Sequence, residues 1–377
     1  MVFDFTSPDR IFLIFFVIFI ISTVIQFSFI FGIFFRLIFF KKISKPDILQ
    51  PVSVVISARN EYFNLRKNLP LILEQDYPDF EVVVVNDSSD DETYELLRSI
   101  AKEDKKLKIV NIPESLNFFS GKKFPLSIGI KSAKNDIIIL TDADCWPKTA
   151  NWIERIQSNF NEKKSIVLGY GGYEEKKGLL NKLIQFDTLH IAIQYLSYSL
   201  AGQPYMGVGR NLAYRKSLFF ESKGFTSHYK IPSGDDDLFI NKAANKHNIC
   251  IEIDPESHTI SSPKIKFKDW MHQKRRHLVT GKYYKTKHKI LLGSYGVSKF
   301  LFYATFFSLL GFIYNINIVL PLFILRLASF LILYKFCMKK FAIKNLLLIS
   351  PLLEIFFVIF TPMIVISGFL HKKDKWK

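Results

Sequence analysis

The chain alternates long apolar runs with a mixed middle region. From Ile11 to Phe40 only Ser22, Thr23, Gln26, Ser28 and Arg36 break the apolar pattern. A helix of about 20 apolar residues crosses a bilayer, so this run is long enough to span one. A second apolar block extends from near Val297 to near Leu370, and its breaks predict helices over 298–314, 317–336 and 346–369. Tyr314-Asn315-Ile316-Asn317 reads as a turn, and Lys335, Lys339, Lys340 and Lys344 separate the last two helices. Three full spans put the tail His371-Lys372-Lys373-Asp374-Lys375 outside, against the cytoplasmic preference of positive residues. Two spans with a re-entrant or interfacial helix keep it inside. Arg326 and Glu354 fall within these helices, where a charge faces protein or water.

Between the two blocks the pattern changes. Pro51 to Ser57 is a short β-branched run that reads as a buried strand, and Ala58-Arg59-Asn60-Glu61 breaks it. Helical spacing follows over 64–75. A strand over 81–85 closes at Asn86-Asp87-Ser88-Ser89, and Asp90-Asp91-Glu92 opens the next helix. A strand over 107–112, a helix over 126–133 and a strand over 136–140 complete the series, which ends at Thr141-Asp142-Ala143-Asp144. Strands alternating with helices imply a mostly parallel, doubly wound α/β sheet, whose ligands bind beyond the carboxyl ends of the strands. Three polar clusters fall at such ends: Arg59-Asn60-Glu61, Asn86-Asp87 and Asp142-Ala143-Asp144.

Composition fits a membrane protein with a soluble part. Of 377 residues, 49% are hydrophobic, 38 are Phe, and the formal net charge is +17. The start carries Asp4, Asp9 and Arg10, the apolar run is too long for a signal peptide, and Arg36, Lys41, Lys42 and Lys45 follow it. An uncleaved anchor is expected, with the following segment cytoplasmic. Cys145, Cys250 and Cys337 show neither a disulfide framework nor zinc-ligand spacing, which suits a reducing compartment. The positive charge alone suits nucleic acid. However, ten Lys or Arg residues lie between Lys264 and Lys289, beside an apolar helix, and no recognition motif is present. A face toward anionic headgroups is the expectation, and no nucleic-acid partner.

Two carboxylates one residue apart at a strand end suit a hard cation such as Mg²⁺ or Mn²⁺, which wants carboxylate oxygens and waters. Asp142 and Asp144 are therefore the metal candidates. The ordered segments Val-Ser-Val-Val-Ile-Ser-Ala-Arg-Asn-Glu, Val-Val-Val-Val-Asn-Asp-Ser-Ser-Asp-Asp-Glu-Thr, Gly-Lys-Lys and Leu-Thr-Asp-Ala-Asp sharpen this. Together they resemble the inverting nucleotide-diphospho-sugar glycosyltransferases of GT-A fold, glycosyltransferase family 2. That family includes cellulose and hyaluronan synthases and dolichol-phosphate mannose synthases. The resemblance covers about residues 50–280, and the flanking apolar helices match its membrane-bound branch.

The resemblance implies three parts: an N-terminal transmembrane anchor over 1–45, a cytoplasmic Rossmann-like GT-A domain over 46–290, and two or three transmembrane helices with a basic tail over 291–377. It implies a nucleotide-sugar donor, with a preference for UDP, and a lipid-linked or saccharide acceptor at the cytoplasmic membrane face. A processive polysaccharide synthase is the alternative within the enzyme reading, and an inactive scaffold of a glycan-assembly complex is the alternative outside it. Ala58, Arg59 and Asn60 are expected to line the base pocket, Glu61 to approach the ribose, and Asp87 to bond the base. Asn86 stands where relatives carry a second aspartate. Lys122 or Lys123 is expected at the base or phosphates, Asp144 on the metal, and Asp142 near the ribose and metal waters. Gly209-Arg210-Asn211 matches a Gly-x-Asn element near donor sugar and acceptor.

Ser233-Gly234-Asp235-Asp236-Asp237 is a second acidic cluster. Adjacent carboxylates repel, which raises at least one pKa, and a general base for the acceptor hydroxyl is a reason to keep them together. The resemblance implies the base here, with Asp236 first and Asp235 as the alternate. Asp237 is expected to cap the helix over 238–245. Gln273-Lys274-Arg275-Arg276-His277 resembles the Gln-x-x-Arg-Trp element of processive synthases, with His277 in place of Trp. Arg275 and Arg276 are expected to pair with the diphosphate, since guanidinium grips phosphate bidentately. His258, His272 and His288 lack metal-ligand spacing and are expected at the surface.

Overall fold

The computed structural model describes residues 8–41, 48–113, 121–231 and 233–370. Lys42, Lys45, Asp4, the expected boundary at 45/46 and the tail from His371 lie outside the described residues.

Among the described residues ten strands form: β1 Val52–Ala58, β2 Phe80–Asp87, β3 Leu107–Ile112, β4 Ile137–Leu140, β5 Cys145–Pro147, β6 Ile166–Leu168, β7 Gly171–Tyr173, β8 Leu212–Arg215, β9 Ile249–Ile251 and β10 Thr259–Ser261. The main sheet has the order β3-β2-β1-β4-β8-β6-β9. The strands β3, β2, β1 and β4 are parallel, β8 runs against both neighbours, and β9 is parallel to β6. Only β8 opposes the rest, so the expected mostly parallel sheet forms. A second sheet of order β5-β10-β7 stands at the carboxyl end of β4.

Period-two alternation divides the main sheet between two cores. Val54, Ile56, Val82 and Val84 join Leu65, Leu69 and Ile72 on one face. Val55, Val83, Ile138 and Leu140 join Leu126 and Ile130 on the other. That second core is continuous with Phe29, Ile30, Phe34 and Leu37 of the N-terminal helix and with Leu333, Tyr334 and Phe357 of the C-terminal helices. The sheet layer therefore sits directly on the helical bundle.

Among the described residues, three helices are long and apolar enough to cross a membrane: Arg10–Phe39, Thr286–Gly311 and Ile316–Lys340. A shorter apolar stretch, Ser350–Ile366, belongs to a fourth helix, Ser350–Leu370. Thr286–Gly311 starts twelve residues before the expected position. Its first turns are polar but remain helical because His288 is buried against Asn241, at 2.9 Å. Apolar pattern marks where a helix becomes membrane-like, not where it begins.

Arg326 and Glu354, isolated charges in the sequence, meet in the bundle. Arg326 donates to both Glu354 oxygens, at 2.5 and 2.7 Å, and to Gln26 at 3.0 Å. Tyr303 donates to Glu354 at 2.6 Å. Each of the four helices supplies one member of this network. Removing one partner of a buried ion pair strands the other charge, at about 3–5 kcal/mol, whereas replacing both by apolar groups is often neutral. Arg326→Met and Glu354→Leu alone should each lower the thermal midpoint in detergent more than the double variant does. A double variant less stable than either single would refute this.

Candidate active site

Parallel register brings the polar strand ends to one edge. Ala58 pairs with Asn86 across β1 and β2, and Val55 pairs with Leu140 across β1 and β4. Arg59, Glu61, Asp87, Asp142 and Asp144 consequently line one cavity of about 1390 Å³, together with Lys122, Gly209, Asp235, Asp236, Gln273 and Arg276.

Donor atoms of Asp142, Asp144 and Cys145 lie within 4.8 Å of one another. The two carboxylates suit a hard cation. The Cys145 thiol is buried, pushed well above its ordinary pKa by burial and by Asp144, and placed 2.8 Å from the Ser261 hydroxyl, so it is not offered as a thiolate. Burial raises Asp144, and the Asp142 charge raises it further. Burial acts on Asp142 too, but the Lys122 ammonium, by charge and by hydrogen bond, holds it below the usual carboxylate range. Burial also raises Glu61; Asn64, donating at 2.6 Å, partly offsets this, while Asp144 and Asp142 add to it. Burial raises Asp87, opposed by the Arg59 charge.

Lys122 is the junction of the site. It forms an ion pair with Asp142 and lies 3.9 Å from Asp235. Its neighbour Lys123 points elsewhere. The Lys123 ammonium is buried and donates to the carbonyls of His228, Ile231 and Ser233, which pins the loop before the acidic cluster. Lys123 is thus a loop anchor and not a cavity residue.

The acidic cluster divides its labour differently from the expectation. Gly234, at φ 97°, turns the chain into it, and only glycine adopts that region without strain. Asp236, not Asp237, is the N-cap of the helix Asp237–Ala243. One Asp236 oxygen accepts from the Asp237 N–H at 2.7 Å and the other from the Gly209 N–H at 2.8 Å. Burial and the flanking Asp235 and Asp237 charges push Asp236 up to about 8 against those two donors. Asp237 is buried and accepts from Leu238, Thr280 and Tyr284. Asp235 faces Lys122.

Several other expected site residues serve the scaffold. Asn60, at φ 56°, accepts from the Asp90 N–H at 2.8 Å and braces two strand-end loops. Ala58 is a buried strand residue. Asn211, fully buried, accepts from Trp152 at 3.1 Å and donates to the carbonyls of Tyr170 and Ser257 at 2.9 and 2.7 Å. A side chain with every polar atom so engaged has nothing left for an acceptor. Arg275 does not line the cavity; Arg276 and His277 do. Gln273 donates to the Tyr173 hydroxyl at 3.2 Å. His258 and His288 are buried, contrary to expectation, and His272 is exposed on the cavity wall. Asn86 donates to Asn111 at 2.6 Å, so a neutral amide pair occupies that position.

The cavity also holds residues that motif reading did not single out. Arg210 lies over the Tyr173 ring at 4.3 Å, with its charge acting on Asp142 and Asp144. Its place between Gly209 and Asn211 was the available signal. Lys274 and Asp187 form a buried pair at 2.7 Å across two helices, which no local spacing announces.

Comparison with known proteins agrees with this geometry. Residues 53–221 match the model of glycosyl transferase family 2. The poly-beta-1,6-N-acetyl-D-glucosamine synthase of Staphylococcus aureus is 32% identical over 165 residues, 42% of this chain and 39% of that protein. A glycosyltransferase of Haemophilus influenzae is 32% identical over 124 residues, 33% of this chain and 36% of that protein. The chain thus spans well under half the length of these relatives. The mannosyltransferase PcManGT of Pyrobaculum calidifontis, solved with GDP-Man and Mn²⁺, shares the fold at a TM-score of 0.57 and 18% identity, over 90% of this chain and 98% of that one. A GT-A sheet, acidic clusters at its strand ends and a family match across 53–221 identify a glycosyl transferase family 2 domain within this chain.

Proposed function

We propose that the chain moves a sugar from a nucleoside diphosphate sugar, UDP-linked by preference, to a lipid-linked or saccharide acceptor at the cytoplasmic face of a membrane, with inversion. The observation that carries this is the position of Lys122. One ammonium joins the strand-end aspartate Asp142 to Asp235 of the second acidic cluster, so the donor side and the acceptor side share one cavity.

Asp87 and Arg59 face the nucleobase and Glu61 the ribose. Asp144 and Asp142 would hold Mg²⁺ or Mn²⁺, and such an ion, when bound, neutralises the departing diphosphate. Arg276 faces the same diphosphate. Asp235 takes the proton of the acceptor hydroxyl, whose oxygen attacks the anomeric carbon from the side opposite the leaving group. We assign the base to Asp235 rather than Asp236 because both Asp236 oxygens are held by backbone N–H groups, whereas Asp235 opens toward Lys122. Asp236 positions the Gly209 loop. The apolar helices anchor the enzyme as a multi-pass membrane protein, with the basic face Lys264–Lys289 toward anionic headgroups.

Asp235→Asn should leave donor binding intact and lower transfer by about 10²–10⁴-fold, the range of a lost general base. Asp236→Asn keeps a good capping side chain and should cost less; a larger loss there, with Asp235→Asn mild, would return the base to Asp236. Asp144→Ala should abolish metal-dependent binding of UDP-sugars, read by thermal shift with and without Mn²⁺.

The raised Asp144 gives the pH dependence. Its proton competes with a cation, so metal affinity rises as pH rises through the Asp144 ionisation and falls in acid. Mn²⁺ titrations at about pH 5 and about pH 8 should show weaker binding in the acid sample. Equal affinity at both would remove Asp144 from the metal set.

A further inference from the structure

The cavity is larger than a nucleotide-sugar requires. Ligand pockets typically enclose about 300–1,000 Å³, and this one, at about 1390 Å³, continues past the acidic clusters to His190, Gln194, Tyr295 and Lys299. These residues belong to the helices Leu179–Leu200 and Thr286–Gly311.

Two lysines on this part of the wall are almost fully buried, each 8% exposed. Lys274 is neutralised by Asp187, at 2.7 and 2.8 Å. Lys299 is not. Its ammonium lies 3.3 Å from His190 Nε2 and 5.0 Å from the Tyr295 ring centre. Among the described residues no carboxylate comes within ion-pairing distance of it, and the neighbouring Glu354 is bound through both oxygens to Arg326. His190 does not absorb the donors either. Its Nδ1 meets the Tyr334 hydroxyl at 2.7 Å, and its Nε2 faces both Gln194, at 3.0 Å, and Lys299. One ring nitrogen has one lone pair, so one of these donors is surplus. A buried cation without a counter-ion in direct contact is costly in a low-dielectric bundle. A cavity wall that keeps one is built for a ligand that brings the charge.

We propose that this inner part of the cavity binds a phosphate or diphosphate group carried by the acceptor, with Lys299 as counter-ion and Gln194 as a second donor. The inference rests on the transferase reading. It narrows the acceptor to a molecule whose anionic group lies apart from its reacting hydroxyl, because Lys299 shares no neighbouring side chain with the Lys122–Asp142–Asp235 set. A saccharide carried on a lipid phosphate has that form.

The test uses the full chain in detergent without divalent cations, so that the metal centre does not take the diphosphate. Farnesyl diphosphate, farnesol and inorganic pyrophosphate are the probes, and UDP-sugar binding with Mn²⁺ is measured on the same preparations. Wild type should bind farnesyl diphosphate and not farnesol. Lys299→Gln should weaken that binding at least about tenfold, the loss of one charge-assisted contact, while Lys299→Arg retains it. Farnesyl diphosphate binding tighter than pyrophosphate supports a lipid-borne anion, and equal binding of the two, lost in Lys299→Gln, supports the anion site for a soluble phosphate. Unchanged affinity in Lys299→Gln, or farnesol binding as well as farnesyl diphosphate, overturns the proposal. Retained UDP-sugar binding by the variant shows that it is folded. Failure of wild type to bind any UDP-sugar would count against the transferase reading instead, and the lysine result stands apart from it.

Discussion

The Lys122 ammonium holds together groups that would otherwise repel. Asp142, Asp144, Asp235, Asp236 and Glu61 all face one cavity. Burial raises Asp144, Asp236 and Glu61, and neighbouring carboxylate charges raise them further. Asp142 is held low instead, because Lys122 contacts it directly. The same ammonium reaches Asp235, so it fixes the distance between the two acidic clusters. Strand register, the turn at Gly234 and the Lys123 anchor under the neighbouring loop all serve that placement.

Capping and catalysis compete for the same side chains in this site. A helix start needs a carboxylate on its free N–H groups, and a base needs a carboxylate turned toward substrate. On the proposed assignment of the base to Asp235, three aspartates in a row meet both needs by separating them. Asp236 takes the N–H groups of Asp237 and Gly209, Asp237 bonds to Thr280 and Tyr284, and Asp235 faces the Lys122 ammonium. Thr280 and Tyr284 follow the basic element 273–277, so the acidic cluster is tied to the segment that leads into the membrane-type helices.

The bundle below the sheet solves a related problem with different chemistry. Arg326 and Glu354 neutralise each other, and Gln26 and Tyr303 complete their hydrogen bonds. Because those four side chains come from four helices, the pair also fixes how the helices pack. Lys299 stands beside this network without direct contact to Glu354, whose oxygens are taken by Arg326, and it lines the cavity.

The amino-acid pattern alone determined the four strands up to Leu140, the polar clusters at their ends, the long apolar N-terminal helix and the order of the acidic motifs. These depend on local rules: alternation, β-branching, turn residues and apolar length. Tertiary structure alone decided which member of each motif faces the cavity. Lys122 and Lys123 are adjacent and equally basic, yet one joins two aspartates and the other binds three carbonyls. Asn211 fits a motif, but Trp152, Tyr170 and Ser257 claim its polar atoms from distant segments. The pairings Lys274–Asp187 and Arg326–Glu354 span 87 and 28 residues. Spacing along a chain specifies periodicity and chemistry, whereas a side chain's partner depends on which elements pack together, and that is set by the whole core.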